Sequence, residues 1–112
     1  MKIIYTKYAL KGYTINLFGV AFARPDREPL SGTTINHESI HTAQGKELLW
    51  IFFYIWYGIE WVIRLIQYRN RKKAYRNISF EREAYSNDEN TTYLTNRKLY
   101  SFLNYLKLKN NG

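Results

Sequence analysis

His37 and His41 are the two histidines of this 112-residue chain, and Glu38 stands between them in the stretch H-E-S-I-H. Side chains four positions apart lie on the same face of an α-helix. The two imidazoles can therefore bind one metal ion, and Glu38 can reach a water molecule on that ion. A metal ion lowers the pKa of bound water towards neutrality, so that a carboxylate can take its proton. The spacing predicts a site for metal-assisted hydrolysis.

The pattern H-E-x-x-H is typical of zinc-binding helices in metallopeptidases. The alternative interpretation is a helix that carries two histidines by chance, one of them capped or solvated. The chain has no cysteine, so Zn²⁺ would need nitrogen and oxygen ligands. Hydrophobic residues make up 46% of the chain and aromatic residues 18%, which indicates a folded chain rather than a disordered one. Its length predicts a single domain, residues 1–112.

The net charge is +8, and the densest basic run is Arg69-Asn70-Arg71-Lys72-Lys73. Such a run can contact nucleic acid, an anionic membrane surface or an acidic partner, but it is more often a solvated helix end. No nucleic-acid-binding motif accompanies it, so we expect no nucleic acid partner. The first residues do not resemble a secretory signal. We expect a cytoplasmic protein that can lie at the periphery of a membrane.

Strand formers dominate the N-terminal part and predict a short strand over 3–5 and a longer strand over 13–22. A polar loop over 25–29 then leads to the motif helix, which we predict over 34–44, with Gly45 ending or kinking it. The apolar stretch 48–66 predicts a buried central helix, apolar on most faces, because its uninterrupted run is short for a membrane span. A helix resting on a membrane, on a partner or on a second copy is the alternative.

Two more helices are predicted after a basic connector over 69–77. Ser79 is a candidate N-cap for a helix that carries Glu81 and Glu83. Apolar residues then recur at helical spacing from Leu99 to Leu106, which predicts a final amphipathic helix. The fold class is therefore α+β: a small N-terminal sheet, the motif helix, a long apolar helix, a glutamate helix and a C-terminal helix.

A catalytic zinc site usually has three protein ligands and an open position for water. With no third histidine, a carboxylate must complete the set. The sequence leaves six acidic candidates open: Asp26, Glu28, Glu47, Glu60, Glu81 and Glu83.

The two motifs together, H-E-x-x-H at 37–41 and Glu81-x-Glu83-Ala84-Tyr85, resemble the gluzincin metallopeptidases, and in length and element order their smallest members, the minigluzincins. The resemblance implies a zincin fold, Zn²⁺ as cofactor and a glutamate on the second helix as third ligand, which maps onto Glu81. The position four residues later is usually an aspartate that supports a metal-bound histidine, and here it is Tyr85. The resemblance also implies that an extended substrate aligns along the strand region 13–22.

Residues two apart point about 200° apart around a helix, so Glu81 and Glu83 cannot both face one metal ion. Helix phase favours Glu81, because Glu81 shares a face with Tyr85 and Glu83 does not. Weaker candidates surround these. Asn36 can cap or orient the motif helix, and Gln44 lies one turn after His41. Tyr85 or Tyr93 can donate a hydrogen bond to a developing oxyanion.

The sequence thus predicts a zinc metalloendopeptidase with His37, His41 and Glu81 as metal ligands and Glu38 as general base. Its partner would be a peptide or protein substrate, and a homodimer is compatible with the composition. The alternative is a catalytically idle zinc-binding interaction protein, associated with a membrane surface or with a partner.

Overall fold

A three-stranded sheet precedes five α-helices in the computed structural model, which describes residues 2–106. This α+β order confirms the predicted fold class. The strands are β1 (Lys2–Tyr5), β2 (Ile15–Leu17) and β3 (Val20–Ala23). Their order is β1-β3-β2, with β1 parallel and β2 antiparallel to the central β3. Strand β2 therefore lies at an edge of the described sheet.

The single strand predicted over 13–22 is wrong, because β2 and β3 form a hairpin. Phe18 and Gly19 connect the strands with φ angles of 52° and 88°, as in the two-residue turns that match the twist of hairpins. The Phe18 ring packs against Trp50 and Tyr54, with ring centroids 5.8 and 5.3 Å away. Strand formers surround this turn in the sequence, where Gly19 is its local signal, and the conformation of Phe18 accompanies a tertiary contact.

The motif helix α1 (Gly32–Glu47) begins at Ser31, whose hydroxyl accepts a hydrogen bond from the Thr34 amide at 3.1 Å. It is longer than the predicted 34–44, and Gly45 lies inside it. A Cβ on Gly45 would lie 2.1 Å from Cζ3 of Trp50. Gly45 therefore permits close contact with the Trp50 ring rather than ending the helix.

Helix α2 (Ile51–Tyr68) follows a sharp turn at Leu49 and Trp50, which have φ angles of 54° and 59°. No single described helix is long and apolar enough to cross a membrane, and α1 and α2 meet that criterion only as a pair bent by 112°. The prediction that α2 is a buried central helix is wrong. Its buried residues are Phe53, Glu60 and Arg64. A full row of apolar side chains on the other side is exposed, and we call it the apolar stripe: Phe52, Ile55, Ile59, Val62, Ile63 and Ile66.

Three shorter helices follow: α3 (Arg71–Arg76), α4 (Ser79–Asn87) and α5 (Tyr93–Asn96). The predicted basic connector thus contains α3. The C-terminal region is helical in short pieces, α5 and a 3₁₀ helix at Ser101–Tyr105. A further 3₁₀ turn lies at Pro25–Arg27.

Glu60 of α2 supplies the N-terminal cap of α4. Ile78 is the N-cap residue and makes no side-chain cap hydrogen bond. Instead, the Glu60 carboxylate accepts hydrogen bonds from the amide of Ser79 and from its hydroxyl, the latter at 2.6 Å. A carboxylate at a helix N-terminus satisfies free amides and complements the helix dipole. Glu60 thereby fixes the start of the helix that carries Glu81.

The core lies between α2, α4 and the C-terminal 3₁₀ helix. Its buried members are Phe53, Ile78, Phe80 and Phe102. The Phe80 ring lies 4.6 Å from both Phe53 and Phe102 between centroids. Because Phe80 adjoins Glu81 in α4, this aromatic packing holds the glutamate helix in place beside α1.

Candidate metal centre

Helix α1 presents His37 and His41 towards the same buried point. Each residue is only 6% exposed, and their Nε2 atoms lie 3.1 Å apart. His37, Glu38 and His41 each offer a ligand atom, and these atoms lie within 4.8 Å of one another. The H-E-x-x-H spacing therefore forms a spatial cluster that could hold a metal ion, as predicted.

Helix α4 brings Glu81 to this cluster. Its Oε1 atom lies 3.1 Å from Nε2 of His37 and 3.0 Å from Nε2 of His41. Two imidazole nitrogens and one carboxylate oxygen thus form a nearly equilateral triangle. A neutral imidazole with its proton on Nδ1 offers the Nε2 lone pair to a cation, and the carboxylate oxygen can bind the same cation.

Glu83, the neighbouring candidate, points away from the histidines. It is fully buried, and its carboxylate accepts hydrogen bonds from Gln44, Tyr93 and Arg97. The remaining acidic candidates also lie elsewhere. Glu47 forms a two-point ion pair with Arg97, Glu60 caps α4, and Asp26 and Glu28 are exposed.

Each histidine has a hydrogen-bond acceptor next to its Nδ1 atom, on the side of the ring away from the cluster. The Nδ1 atom of His37 lies 3.1 Å from Oδ2 of Asp88, and that of His41 lies 2.8 Å from Oε1 of Gln44. If each Nδ1 donates its proton to this acceptor, each Nε2 keeps a lone pair for a metal ion. Gln44 also donates to the Phe80 carbonyl and to Glu83. It therefore couples the orientation of His41 to α4.

Sequence reasoning missed Asp88. It lies at the end of α4, seven residues after Glu81, and seven residues are nearly two helical turns. The helical phase relative to Glu81 was therefore the available signal. Asn36 secures this region, because its amide donates to the backbone carbonyls of Asn87, Asp88 and Asn90. Asn36 thus orients the segment that supports His37, rather than capping α1.

Tyrosines complete the surroundings of the cluster. The Tyr57 hydroxyl donates to Oε2 of Glu81 at 2.7 Å, which leaves Oε1 for the histidines. The Tyr85 ring packs on His37 with centroids 4.3 Å apart, and its hydroxyl lies 2.9 Å from that of Tyr75. Neither Tyr57 nor Tyr75 could be singled out among eleven tyrosines in the sequence.

The charges of the cluster influence one another strongly. Burial raises the pKa of Glu38, although His41 and His37 partly oppose this. Burial alone would lower the pKa of His41, but the Glu81 carboxylate and its hydrogen bond outweigh burial and raise it to about 9. Burial likewise opposes ionisation of Glu81, yet His41 and the hydrogen bonds from both histidines bring its pKa well below the ordinary value. Glu81 is therefore ionised, and Glu38 has the higher pKa of the two carboxyl groups.

A cavity of about 300 Å³ opens beside the cluster. Glu38, His41 and Glu81 line it together with residues 13–17, which include β2, and with Phe53, Tyr54, Tyr57 and Tyr75. A second cavity of about 240 Å³ lies on the His37 side, and Glu38 and Tyr75 border both. The cluster is buried but reachable from an apolar cleft.

Asn16 ties the edge strand β2 to the motif helix. Its side-chain amide donates to the Glu38 carbonyl at 2.9 Å and to the Thr42 hydroxyl at 3.0 Å. Its side-chain oxygen accepts from the Gly19 amide at the hairpin turn. The position of β2 is thereby fixed relative to Glu38.

Comparison with family models, with curated proteins and with solved structures finds no match for this chain. The case for its function therefore rests on the geometry of the cluster and its cavity.

Proposed function

We propose that the protein is a zinc-dependent metallopeptidase of the gluzincin type. The observation that carries the proposal is the position of Glu81 Oε1, which lies within 3.1 Å of both Nε2 atoms of the H-E-x-x-H motif. Glu38 lines the same cavity as His41 and Glu81. A gluzincin-type site needs this combination of two histidines, a glutamate from a second helix and a free carboxylate.

The donor set suits zinc. Nitrogen and oxygen ligands lie about 2.0–2.2 Å from Zn²⁺ in tetrahedral sites, so neighbouring ligands are about 3.3 Å apart. The three separations of 3.0 to 3.1 Å are within a few tenths of an ångström of that value. Magnesium and calcium prefer sets made only of oxygen atoms. Asp88 and Gln44 can accept hydrogen bonds from the Nδ1 atoms of the two imidazoles, and metal-bound histidines usually have such supporting groups.

Bound zinc would polarise the scissile carbonyl and lower the pKa of the attacking water. Glu38 would take a proton from that water and pass it to the leaving amine. Burial supports this role, because it raises the pKa of Glu38 and so makes its carboxylate a stronger base. Tyr93 hydrogen-bonds Glu83 instead of facing the cluster. Tyr85 lines the smaller cavity, whereas Tyr75 lines both cavities. We therefore assign Tyr75 as the donor to the carbonyl oxygen in the transition state.

The cavity supports an extended peptide as substrate. Strand β2 pairs with β3 along one edge only, so its other edge can align a substrate backbone by strand addition. Leu10, Leu17, Phe53 and Tyr54 give the cavity apolar walls. We expect preference for a peptide with a bulky apolar side chain next to the scissile bond.

Substitution of Glu38 by Gln tests this function. It keeps the shape of the side chain but removes the base, so cleavage of a diverse peptide library should fall by about 10²–10⁴-fold while zinc stays bound. The exposed Glu28→Gln is the matched control and should cleave like the wild type. Wild-type activity in Glu38→Gln would refute the mechanism. Stoichiometric zinc in a wild type that cleaves no member of the library would favour the idle zinc-binding protein instead.

A further inference from the structure

The apolar stripe of α2 is a continuous surface that the described residues leave uncovered. Its six side chains are between 47% and 71% exposed, and they recur at the i, i+3, i+4, i+7 spacing of one helix face. The helix that carries them has 18 residues and is therefore about 27 Å long. Single exposed apolar residues are ordinary, but a contiguous row of this length marks a binding surface.

Exposed cations flank α2 along the chain. Lys46 precedes its first residue by five positions, and four exposed cations follow its last residue: Arg69, Arg71, Lys72 and Lys73. Arg76, at the end of α3, is exposed as well. The Lys73 ammonium lies 4.8 Å from the centre of the Tyr68 ring, so the basic cluster is continuous with the end of α2.

No exposed carboxylate balances these charges in the segment. Residues 46–80 contain two acidic residues, Glu47 and Glu60. The Glu47 side chain is buried and paired with Arg97, and Glu60 is 4% exposed and engaged with α4. The segment therefore presents apolar and cationic groups to its surroundings. An amphipathic helix with cations beside its apolar face is the usual composition of a helix that lies in a membrane interface.

We propose that the apolar stripe, with the cations that flank α2, docks the protein on an anionic lipid surface. Anionic lipids complement these charges, and each Lys or Arg near such a surface adds to binding. A second copy is the less suitable occupant, because it would bring a chain of the same +8 charge onto a helix that is already flanked by cations.

Docking in this way leaves the metal cavity accessible. Phe53 and Tyr57, which line the cavity, lie on the opposite face of α2 from the stripe. The inference therefore does not depend on the proposed peptidase activity. It adds to that activity only a location, next to a membrane surface.

Co-sedimentation of the full chain with phosphatidylcholine vesicles, with and without phosphatidylserine, tests the docking. We expect partition onto the anionic vesicles that is lost in about 1 M salt, where the Debye length is about 3 Å. The double variant Ile59→Ser/Ile63→Ser should lower the partition coefficient by at least about 30-fold. Its control, Tyr8→Ser/Leu99→Ser, removes exposed apolar side chains outside the stripe and should change the coefficient by less than about twofold.

Charge variants measure the contribution of the cations separately from that of the apolar stripe. Lys72→Gln/Lys73→Gln should lower partition by on the order of 20-fold, and Lys7→Gln/Lys11→Gln, with the same change in net charge, should lower it much less. Absence of vesicle binding by the wild type would overturn the proposal, as would equal binding to neutral vesicles or full binding by the stripe variant. A wild-type dimer in light scattering that the stripe variant converts to a monomer, without vesicle binding, would assign the surface to a second copy instead.

Discussion

Asp88 places a carboxylate oxygen 3.1 Å from Nδ1 of His37, while Glu81 lies 3.1 Å from Nε2 of the same ring. The imidazole is thus held between two acids that lie two turns apart on the same stretch of chain. The sequence suggested Tyr85 for the supporting position, but Tyr85 instead packs against the ring of His37. In this chain the supporting residue is Asp88, about one helical turn after Tyr85.

Removal of this support should weaken metal binding without removing a ligand. We predict that Asp88→Ala lowers zinc affinity by about 10–100-fold, the range seen when groups behind metal-bound histidines are removed. Competition with a chromophoric chelator measures the affinity. Glu89→Ala is the matched control, because Glu89 is the exposed neighbouring acid. An unchanged affinity in Asp88→Ala would show that Asp88 does not orient His37.

Arg97 joins two acidic residues from different helices. Its guanidinium donates to Glu83 in α4 and to Glu47 at the end of α1, and these side chains are at most 5% exposed. Loss of the cation would leave buried carboxylates without a partner. We predict that Arg97→Met lowers the free energy of unfolding by about 3–5 kcal/mol, as measured by denaturant titration.

The second substitution that tests this ion pair is Glu83→Gln. In the Arg97→Met background it removes one of the uncompensated charges, so it should recover part of the lost stability. If Glu83→Gln destabilised the Arg97→Met variant as much as it destabilises the wild type, the two residues would act independently.

Two helical glycines should respond oppositely to alanine. A Cβ at Gly45 would overlap the Trp50 ring, 2.1 Å from Cζ3, whereas a Cβ at Gly58 meets no atom within 4 Å. We predict that Gly45→Ala destabilises the protein by about 1–3 kcal/mol through overpacking. Gly58→Ala should stabilise it by about 0.5–1 kcal/mol, because alanine favours the helix. Thermal unfolding of both variants measures the contrast, and equal shifts would contradict the close packing of Trp50.

Local patterns predicted the elements that carry the cluster. The four-residue spacing of His37 and His41 requires a helix to bring them together, and the α+β order followed from strand formers before that helix and apolar spacing after it. Helix phase also favoured Glu81 over Glu83 as the residue facing the histidines. These inferences use short-range periodicity, which a single sequence contains.

Features that depend on tertiary contacts were not predictable in this way. The turn at Phe18 and Gly19 lies inside a run of strand formers, and its conformation accompanies packing against α2. The burial of α2 was misjudged because hydrophobicity alone does not show whether a neighbour covers a face. Glu60 was one of six candidate acidic ligands in the sequence, yet it is buried as the cap of α4.

The metal content of the purified protein, measured by elemental mass spectrometry, tests the central claim most directly. The wild type and Glu81→Ala are compared after exposure to zinc and removal of the excess, with Glu89→Ala as the control. We predict about one zinc per chain in the wild type and the control, and a sharp fall in Glu81→Ala, because a catalytic site has three protein ligands. A wild type without zinc, or a Glu81→Ala variant that keeps its full zinc, would contradict the proposed site.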